Sequence, residues 1–208
     1  MLTCLIMGAG ELFAPRTLPC VDLIVAADGG LTHLQKLGIQ PNVIIGDFDS
    51  LGFTPDGECV ITLRRDKDQS DMRAAIERAW QAGCREFHIY GGTGGRLDHT
   101  LANIQCLADL SQRGARGFLY GQHEVITCVH NGEMAFPADS GGTISLFAQG
   151  GAAEGVTLKG LKYPLENATM ESTKPLGLSN EFIGEEATVS VERGTLVVVV
   201  GRGVLDAP

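Results

Sequence analysis

The sequence predicts an α/β protein in two parts: an N-terminal α/β domain with a parallel sheet, followed by a C-terminal all-β sandwich. In the first half, short β-branched runs alternate with segments whose apolar residues recur at helical spacing, which is typical of parallel α/β sheets. After about residue 121, strand-like segments are separated by Gly, Asn and Pro, with no convincing helix. We therefore predict domains at 1–122 and 123–208.

The composition is that of an ordinary folded protein. Of 208 residues, 44% are hydrophobic and 20% are charged, and the net charge is −9. Such a chain has no basic excess with which to bind nucleic acid. The six cysteines are widely spaced without Cys-x-x-Cys, which favours buried, reduced thiols over a zinc site or a disulfide framework. No apolar run reaches the ~18 residues of a membrane span, and the N-terminus lacks the charged region of a signal peptide. We expect a soluble, cytoplasmic protein.

The first two predicted strands both end at glycines. Leu2–Met7 is followed by Gly8-Ala9-Gly10, which is either a tight turn or a phosphate cradle, and the missing third glycine favours the turn. Val21–Ala27 is followed by Asp28-Gly29-Gly30 and a helix that stops at Gly38. Taken alone, Asp28 is explained as the cap of that helix. The predicted apolar face of the helix consists of three leucines: Leu31, Leu34 and Leu37.

Two carboxylates separated by one residue follow the third predicted strand. The strand is Val43–Ile45, and Gly46-Asp47-Phe48-Asp49-Ser50 comes after it. An Asp-x-Asp pair at a strand end places anionic oxygens a few ångströms apart, which is costly unless a cation lies between them. This loop therefore predicts a metal site.

A second acidic turn follows the strand Cys59–Leu63. Asp66, Asp68 and Asp71 lie in this turn, with Arg and Lys between them. The apolar positions that come next have helical spacing: Met72, Ala75, Ile76, Ala79 and Trp80. Carboxylates at the start of a helix are also explained by solvation and by the helix dipole.

The same turn has some features of an EF-hand loop. Four side chains occupy ligand positions one, three, five and twelve of such a loop: Asp66, Asp68, Ser70 and Glu77. The sixth position, however, is Asp71 where that loop needs Gly, and the apolar spacing places Glu77 inside the helix. Both observations argue against an EF-hand.

A glycine-rich loop, residues 91–99, follows the predicted strand Phe87–Tyr90. Four glycines in five residues leave backbone N–H groups uncovered, and Arg96 comes next, at the start of a helix. Both features suit a phosphate group, although a flexible loop without a ligand is the alternative. The helix is predicted to carry an apolar face: Leu97, Leu101, Ile104 and Ala108.

All these motifs follow strands, so they should meet at one edge of the sheet. In parallel α/β sheets, ligands bind outside the carboxyl ends of the strands. Several carboxylates without nearby His or Cys favour Mg²⁺ over zinc. Magnesium, a glycine-rich loop and an arginine together suit phosphoryl transfer, with one Asp accepting the proton of an attacking alcohol. No P-loop sequence is present.

In order and spacing, these motifs resemble those of the thiamine pyrophosphokinase family. The likeness continues through the second half of the chain and covers nearly all of it. The segments that carry it are Asp28-Gly29-Gly30, Gly46–Ser50, Asp66–Asp71, Gly91–His99, Gly160–Leu165 and Leu178–Glu181.

The resemblance implies a homodimer in which an N-terminal domain binds ATP and magnesium and a C-terminal sandwich completes the thiamine site across the subunit interface. Pyrophosphate would pass from ATP to the hydroxyethyl group of thiamine, giving thiamine diphosphate and AMP. The implied metal ligands are Asp47, Asp49 and Asp71, with Asp28 nearby. Asp71 or Asp49 would polarise the hydroxyl, and Arg96 would counter charge on the moving group. The implied nucleotide contacts are Asp28, Gly29, Gly30, Asp68, Ser70, Arg96, Asp98 and His99.

On the thiamine side, the resemblance implies contacts from Ser179 and Asn180 to the pyrimidine. Tyr163 stands where some members of the family have Trp. It either stacks on the positive thiazolium ring or packs in the sandwich core. Ser70 stands where the family often has Thr, which keeps the hydroxyl.

Two other functions remain open from the residues. A metal-dependent nucleotide-sugar transferase would explain Asp47 and Asp49, but not the second acidic turn or the glycine-rich loop. A nucleotide-sensing module would bind ATP and magnesium without turnover. AMP release that depends on thiamine distinguishes both from a pyrophosphokinase.

Overall fold

The structure, a computed structural model, describes residues 1–13, 18–48, 59–63 and 69–205. It forms two compact units. Among the described residues, the first contains those of Met1–Cys106 and Gly117–Gly121, and the second contains those of Leu107–Arg116 and 122–205. The exact domain limits 1–122 and 123–208 stay a prediction.

The first unit is built on a sheet that includes six strands in the described ranges. These are β1 (Leu2–Met7), β2 (Leu23–Ala27), β3 (Val43–Gly46), β4 (Val60–Thr62), β5 (Cys84–Tyr90) and β6 (Arg116–Tyr120). Its helices are α1 (Gly30–Lys36), α2 (Asp71–Gln81) and the first part of α3 (Leu97–Gln112).

The strand order in this unit is β6-β5-β1-β2-β3-β4. The pairs β1–β2, β1–β5, β2–β3 and β3–β4 are all parallel, as predicted, for the five strands β1–β5. From β1 the chain builds the sheet outward to β4 and then returns to place β5 on the other side of β1. The strand order therefore reverses between β1 and β5, which is the position at which open α/β sheets bind ligands.

Helix α2 follows the predicted apolar spacing closely. It buries Met72, Ala75, Ile76 and Ala79 and contacts β1, β2, β3 and β5. Complete burial of a side chain such as Ile76 stabilises the fold by about 2 kcal/mol. Trp80 is only half-buried, and the Arg85 guanidinium lies 3.8 Å from the centroid of its ring.

Two predicted apolar faces are partly wrong. In α1, Leu31 and Leu34 are buried, but Leu37 is the exposed C-cap residue that precedes Gly38. In α3, Leu97 and Leu101 are 71% and 55% exposed. The buried face of α3 is offset from the predicted one and includes a polar residue: Asn103, Cys106, Leu107, Ala108 and Leu110.

The second unit is antiparallel. Its strands are β7 (Glu124–Phe136), β8 (Thr143–Lys159), β9 (Leu165–Met170), β10 (Gly177–Glu181) and β11 (Ala187–Gly201). They are ordered β10-β8-β11-β7, and β9 also pairs with β8. The strand-like segments of the sequence continue into one another: Thr143–Ala148 and Val156–Lys159 are halves of β8, and Ala187–Glu192 and Leu196–Val200 are halves of β11. Each of these long strands passes through a register shift. Gly194, with φ of 108°, lies at the shift in β11. The two-layered packing of a sandwich stays a prediction.

The prediction that the cysteines are buried is correct for four of them. Cys4, Cys84, Cys106 and Cys128 are buried, whereas Cys20 and Cys59 are exposed, and none of the six, all of which are described, forms a disulfide. Burial raises the pKa of the Cys128 thiol to about 12, so it stays protonated. In the described part of the chain, no helix is both long and apolar enough to cross a membrane.

Candidate active site

A cavity of about 560 Å³ lies at the carboxyl ends of β1, β2 and β5. The turns after these strands line it, together with the first turns of α2 and α3. The lining residues are Gly8–Gly10, Ala27, Asp28, Ser70–Met72, Gly91–Arg96, Asp98, His99, Ala102 and Asn103. The cavity therefore lies at the reversal of strand order and brings together motifs that are up to 95 residues apart.

The segments after β1 and β5 are joined directly through their backbones. The Gly8 N–H donates to the Tyr90 carbonyl and the Gly10 N–H to the Gly91 carbonyl, both at 2.8 Å. A Cβ at Gly8 would lie 2.5 Å from the Gly91 oxygen, so only glycine allows this approach. Since both N–H groups are used within the protein, neither is available to a phosphate, and Gly8 and Gly10 form a structural turn.

The glycine-rich loop is fixed at its start and open at its tip. Asn103 is 5% exposed, and its Nδ2 donates to the Gly92 carbonyl at 2.7 Å. Thr93 is also buried, and its Oγ1 has no hydrogen-bond partner among the described residues. Gly94 and Gly95 are exposed and have positive φ values of 79° and 62°. Their conformations are available to glycine and would strain most other residues.

Asp28 lies at the end of β2 in an unusual backbone conformation. Its φ is 48°, its N–H donates to the Ile45 carbonyl at 2.8 Å, and it is half-buried at the cavity. Asp tolerates this left-handed region better than most residues, and such strain is common at functional sites. The alternative role as a helix cap is not what the structure shows, because α1 has Gly29 at its N-cap and no side-chain cap.

Gly29 and Gly30, predicted nucleotide contacts, are not among the cavity-lining residues. A Cβ at Gly30 would lie 1.9 Å from the Met7 carbonyl oxygen. Glycine at this position therefore allows α1 to pack against the end of β1. Contact with a nucleotide stays a prediction.

Of the Asp-x-Asp motif, the structure describes Asp47 and Phe48. Asp47 is half-buried after β3 but does not line the cavity. Phe48 is buried with φ of 59°, which is rare for a bulky residue and ties the loop to the core. Asp49 lies outside the described residues, as do Asp66 and Asp68 of the second acidic turn.

Ser70 and Asp71 start α2 at the cavity. The Ser70 Oγ accepts a hydrogen bond from the Arg73 N–H at 3.2 Å and so caps the helix. Asp71 is the acidic residue of the first turn, where the helix dipole favours a carboxylate. Glu77 lies within α2 and pairs with Arg73 at 2.9 Å, which rules it out as the twelfth ligand of an EF-hand loop.

Arg96 and Asp98 form a two-point ion pair at the cavity. Arg96 Nε donates to Asp98 Oδ1 at 3.1 Å, and its Nη2 donates to Oδ2 at 2.5 Å. The Arg96 hydrogen bond lowers the pKa of Asp98 below its ordinary value, and the same contact raises the pKa of Arg96. The His99 N–H also donates to Asp98 Oδ1. The exposed guanidinium is thereby oriented at the edge of the cavity.

The described carboxylates do not form a complete metal cage. Within the described ranges, no three His, Cys, Asp or Glu side chains are grouped to hold a metal ion. Magnesium needs only one or two protein carboxylates, since waters and substrate phosphates supply its other ligands. Asp28 and Asp71, both lining the cavity, provide oxygen donors of the right kind for such an ion.

The predicted thiamine contacts lie in the second unit. Asn180 is 3% exposed: its Oδ1 accepts from the Tyr163 N–H at 3.0 Å and its Nδ2 donates to the Tyr163 carbonyl at 2.8 Å. Ser179 has φ of 57°, and its N–H donates to Ser145 Oγ. Tyr163 is 57% exposed, so packing in the core is not its role. Contact of these residues with thiamine stays a prediction.

Two family models match the chain. Residues 15–119 match the thiamin pyrophosphokinase catalytic domain, and residues 131–196 match the thiamin pyrophosphokinase vitamin B1 binding domain. The chain belongs to the thiamin pyrophosphokinase family. The cavity falls almost entirely within the first match, and Tyr163, Ser179 and Asn180 fall within the second.

Individual relatives agree with this assignment. Thiamine pyrophosphokinase from Bacillus subtilis is 30% identical over 184 residues, covering 85% of this chain and 86% of the relative. The crystal structure of thiamine pyrophosphokinase from Bacillus subtilis matches with a TM-score of 0.84 at 27% identity, over 97% of this chain and 99% of that one. The crystal structure of thiamin pyrophosphokinase from Geobacillus thermodenitrificans matches with a TM-score of 0.81 at 27% identity, over 98% of this chain and 100% of that one.

Membership in this family makes the chain an enzyme of thiamine diphosphate synthesis, which excludes the sugar transferase and the sensing module. Sequence reasoning missed two residues that build its cavity, Asn103 and Thr93. Both are polar residues in or just after the glycine-rich loop region. Position 103 lies off the predicted apolar face of α3, so the sequence carried no signal for Asn103.

Proposed function

We propose that this enzyme transfers the pyrophosphoryl group of ATP to the hydroxyethyl oxygen of thiamine, giving thiamine diphosphate and AMP, with magnesium required. One observation carries the proposal: the cavity that joins Asp28, Asp71, the glycine-rich loop and Arg96 in the part of the chain that matches the catalytic domain.

The reaction needs positioning and charge neutralisation more than covalent help from the protein. The thiamine hydroxyl oxygen bonds to the β-phosphorus of ATP, and the bond from that phosphorus to the α,β-bridging oxygen breaks, so that AMP leaves. Asp71 or Asp49 accepts the hydroxyl proton. Arg96 donates to the oxygens of the moving group, which requires its guanidinium to share or leave Asp98.

Asp47, Asp49 and Asp71 would hold magnesium, with Asp28 nearby. When bound, the ion neutralises phosphate charge and helps to align the triphosphate. The other nucleotide contacts in the proposal come from Gly29, Gly30, Asp68, Ser70, Asp98 and His99. Of these, Ser70, Asp98 and His99 line the cavity.

For thiamine, the proposal assigns Ser179 and Asn180 to the pyrimidine and Tyr163 to the thiazolium. The second unit would be a β-sandwich that completes the active site across a homodimer interface. Exposed apolar side chains near these residues support an interface: Leu176, Leu178 and Ile183. A cytoplasmic location stays part of the proposal.

The deciding experiment measures AMP and thiamine diphosphate from the purified protein with ATP and magnesium, with and without thiamine. We expect the two products in equal amounts, only when thiamine is present, and their loss when magnesium is chelated. Formation of ADP with thiamine monophosphate would contradict the proposed transfer. AMP release that does not depend on thiamine would also contradict it.

A further inference from the structure

The side chains of Lys162, Tyr163 and Glu181 form a small exposed cluster in the second unit. The Lys162 ammonium lies 2.8 Å from Glu181 Oε1 and 5.6 Å from the centroid of the Tyr163 ring. One positive charge is therefore held by a carboxylate and an aromatic ring together, the combination that recognises organic cations.

The backbone beneath this cluster is fixed. The Lys162 N–H donates to the Glu181 carbonyl at 3.0 Å, and Leu161 and Phe182 form a β-bridge. The buried Asn180 amide binds both backbone groups of Tyr163. Four hydrogen-bonded or bridged contacts thus hold the two segments, so the backbones that carry Tyr163 and Glu181 are held next to Lys162.

The lysine, by contrast, is easily displaced. It is exposed, and its ion pair with Glu181 is a solvent-screened surface pair of the kind that contributes little to stability. The same carboxylate raises the pKa of the Lys162 ammonium, so the group stays positively charged at neutral pH. An ammonium on a long side chain can swing away without disturbing the backbone contacts.

We propose that Glu181 is a specificity-determining residue for the positive charge of the thiazolium ring, and that Lys162 occupies the thiazolium position until substrate displaces it. This inference rests on the proposed function, since thiamine supplies the cation. The bound thiazolium then contacts the Tyr163 ring face and the Glu181 carboxylate, which the Lys162 ammonium has left. Glu181 would discriminate against alcohols that carry no positive ring.

Removing the negative charge of Glu181 and removing the positive charge of Lys162 should change thiamine affinity in opposite directions. Calorimetry gives the dissociation constant of thiamine for the wild-type protein, Glu181→Gln and Lys162→Met. We expect Glu181→Gln to weaken binding by about three- to fivefold, and Lys162→Met to tighten it by about twofold, because the competing ammonium is gone. Apparent KM values for ATP should stay unchanged in both variants.

The chain offers a matched control for net charge. Glu171 and Lys174 form another exposed ion pair in the same unit, also at 2.8 Å. Glu171→Gln and Lys174→Met make the same charge changes and should leave thiamine binding unchanged. If the control variants change the dissociation constant of thiamine by equal factors, long-range electrostatics explain the result and the inference is overturned.

An uncharged analogue of thiamine, with a thiophene ring in place of the thiazolium, separates charge recognition from general structural damage. Wild-type protein should bind thiamine more tightly than this analogue. Glu181→Gln should lower this preference by the same factor by which it weakens thiamine binding. Equal weakening of both compounds would overturn the specificity role. So would weaker thiamine binding in Lys162→Met.

The AMP assay keeps this inference separate from the proposed function. If wild-type protein forms AMP and thiamine diphosphate but Glu181→Gln binds thiamine normally, the reaction stands and the specificity role fails. If wild-type protein neither binds thiamine nor forms AMP, both fail.

Discussion

Asp28 and Asp71 reach the same cavity from separate elements, the end of β2 and the start of α2. Asp28 has a left-handed backbone, and so has Phe48 after β3. Each such residue costs on the order of 1–3 kcal/mol, which the surrounding packing must offset. Strain at two successive strand ends is therefore consistent with turns shaped for ligand contact.

Asp71→Asn should abolish most turnover while leaving the fold intact. The substitution keeps the size of the side chain but removes the charge that would bind magnesium or accept the hydroxyl proton, and loss of a general base costs about 10²- to 10⁴-fold. The loss of a favourable helix-dipole contact should lower the free energy of unfolding by less than about 1 kcal/mol. AMP release and thermal unfolding measure the two effects.

Glu77→Gln is the matched control for this variant. Glu77 lies on the same helix, outside the cavity-lining set, and its carboxylate pairs with Arg73. We expect near-normal turnover in the control. Near-normal turnover in Asp71→Asn as well would remove Asp71 from the mechanism.

At the scale of elements, the cavity depends on how the loops after β1 and β5 are held. Gly8 and Gly10 bind the backbone at Tyr90 and Gly91, and Asn103 of α3 binds the next carbonyl, at Gly92. A buried carbonyl that loses its donor costs about 1–3 kcal/mol. Helix α3 therefore acts on the site through one amide as well as through Arg96 at its N-terminal end.

Asn103→Ala should lower the free energy of unfolding by about 1–3 kcal/mol, since the Gly92 carbonyl would lose its side-chain donor. The glycine-rich loop would also be held less firmly, so we expect turnover to fall. Denaturant unfolding and AMP release provide the measurements. Gln105→Ala, at an exposed position of the same helix, is the control and should change neither quantity. Unchanged stability in Asn103→Ala would show that this hydrogen bond does not hold the loop.

At the scale of the molecule, the chain forms two compact units, and it matches two domain models of one family. The first unit holds the cavity, and the second holds the cluster at Lys162, Tyr163 and Glu181. Leu176, Leu178 and Ile183 expose apolar surface in the second unit. Several exposed large apolar side chains in one stretch of chain are a reason to expect a protein interface there.

We expect the protein to sediment as a dimer, and Ile183→Lys to weaken the dimer by about tenfold or more, because a buried lysine charge would be unpaired at the interface. Analytical ultracentrifugation over a range of concentrations gives the dissociation constant. Leu37→Lys places the same change on an exposed leucine at the end of α1 and should leave the dimer intact. A wild-type monomer at all concentrations would contradict the homodimer.

Most elements of the first unit were predictable because they follow local rules. The apolar spacing from Met72 to Ala79 needs only the helical repeat, and β1 needs only a buried apolar run. The faces of α1 and α3 were less predictable. Leu37 falls at a helix end, and Leu97 and Leu101 are apolar residues that the fold leaves exposed. Which apolar residues are buried depends on the neighbouring elements, and those are not local.

The candidate site was also predictable only in part from the sequence. Asp28, Ser70, Asp71, Arg96, Asp98 and His99 were identified from motifs and do line the cavity. Asp49 and Asp68 lie outside the described residues, and Gly29 and Gly30 do not line it. Asn103 and Thr93 emerged only from the three-dimensional contacts, because their roles depend on a loop carbonyl and on burial.

By itself, the sequence determined the family, the parallel α/β character of the first half and the chemical types gathered at the strand ends, since these depend on residue order and spacing. The tertiary structure alone decided which glycines serve packing, which helix faces are buried, and that Lys162 contacts both Tyr163 and Glu181. The physical reason is that each of these features depends on a contact between separate segments of the chain. A local sequence pattern does not specify how two such segments pack together.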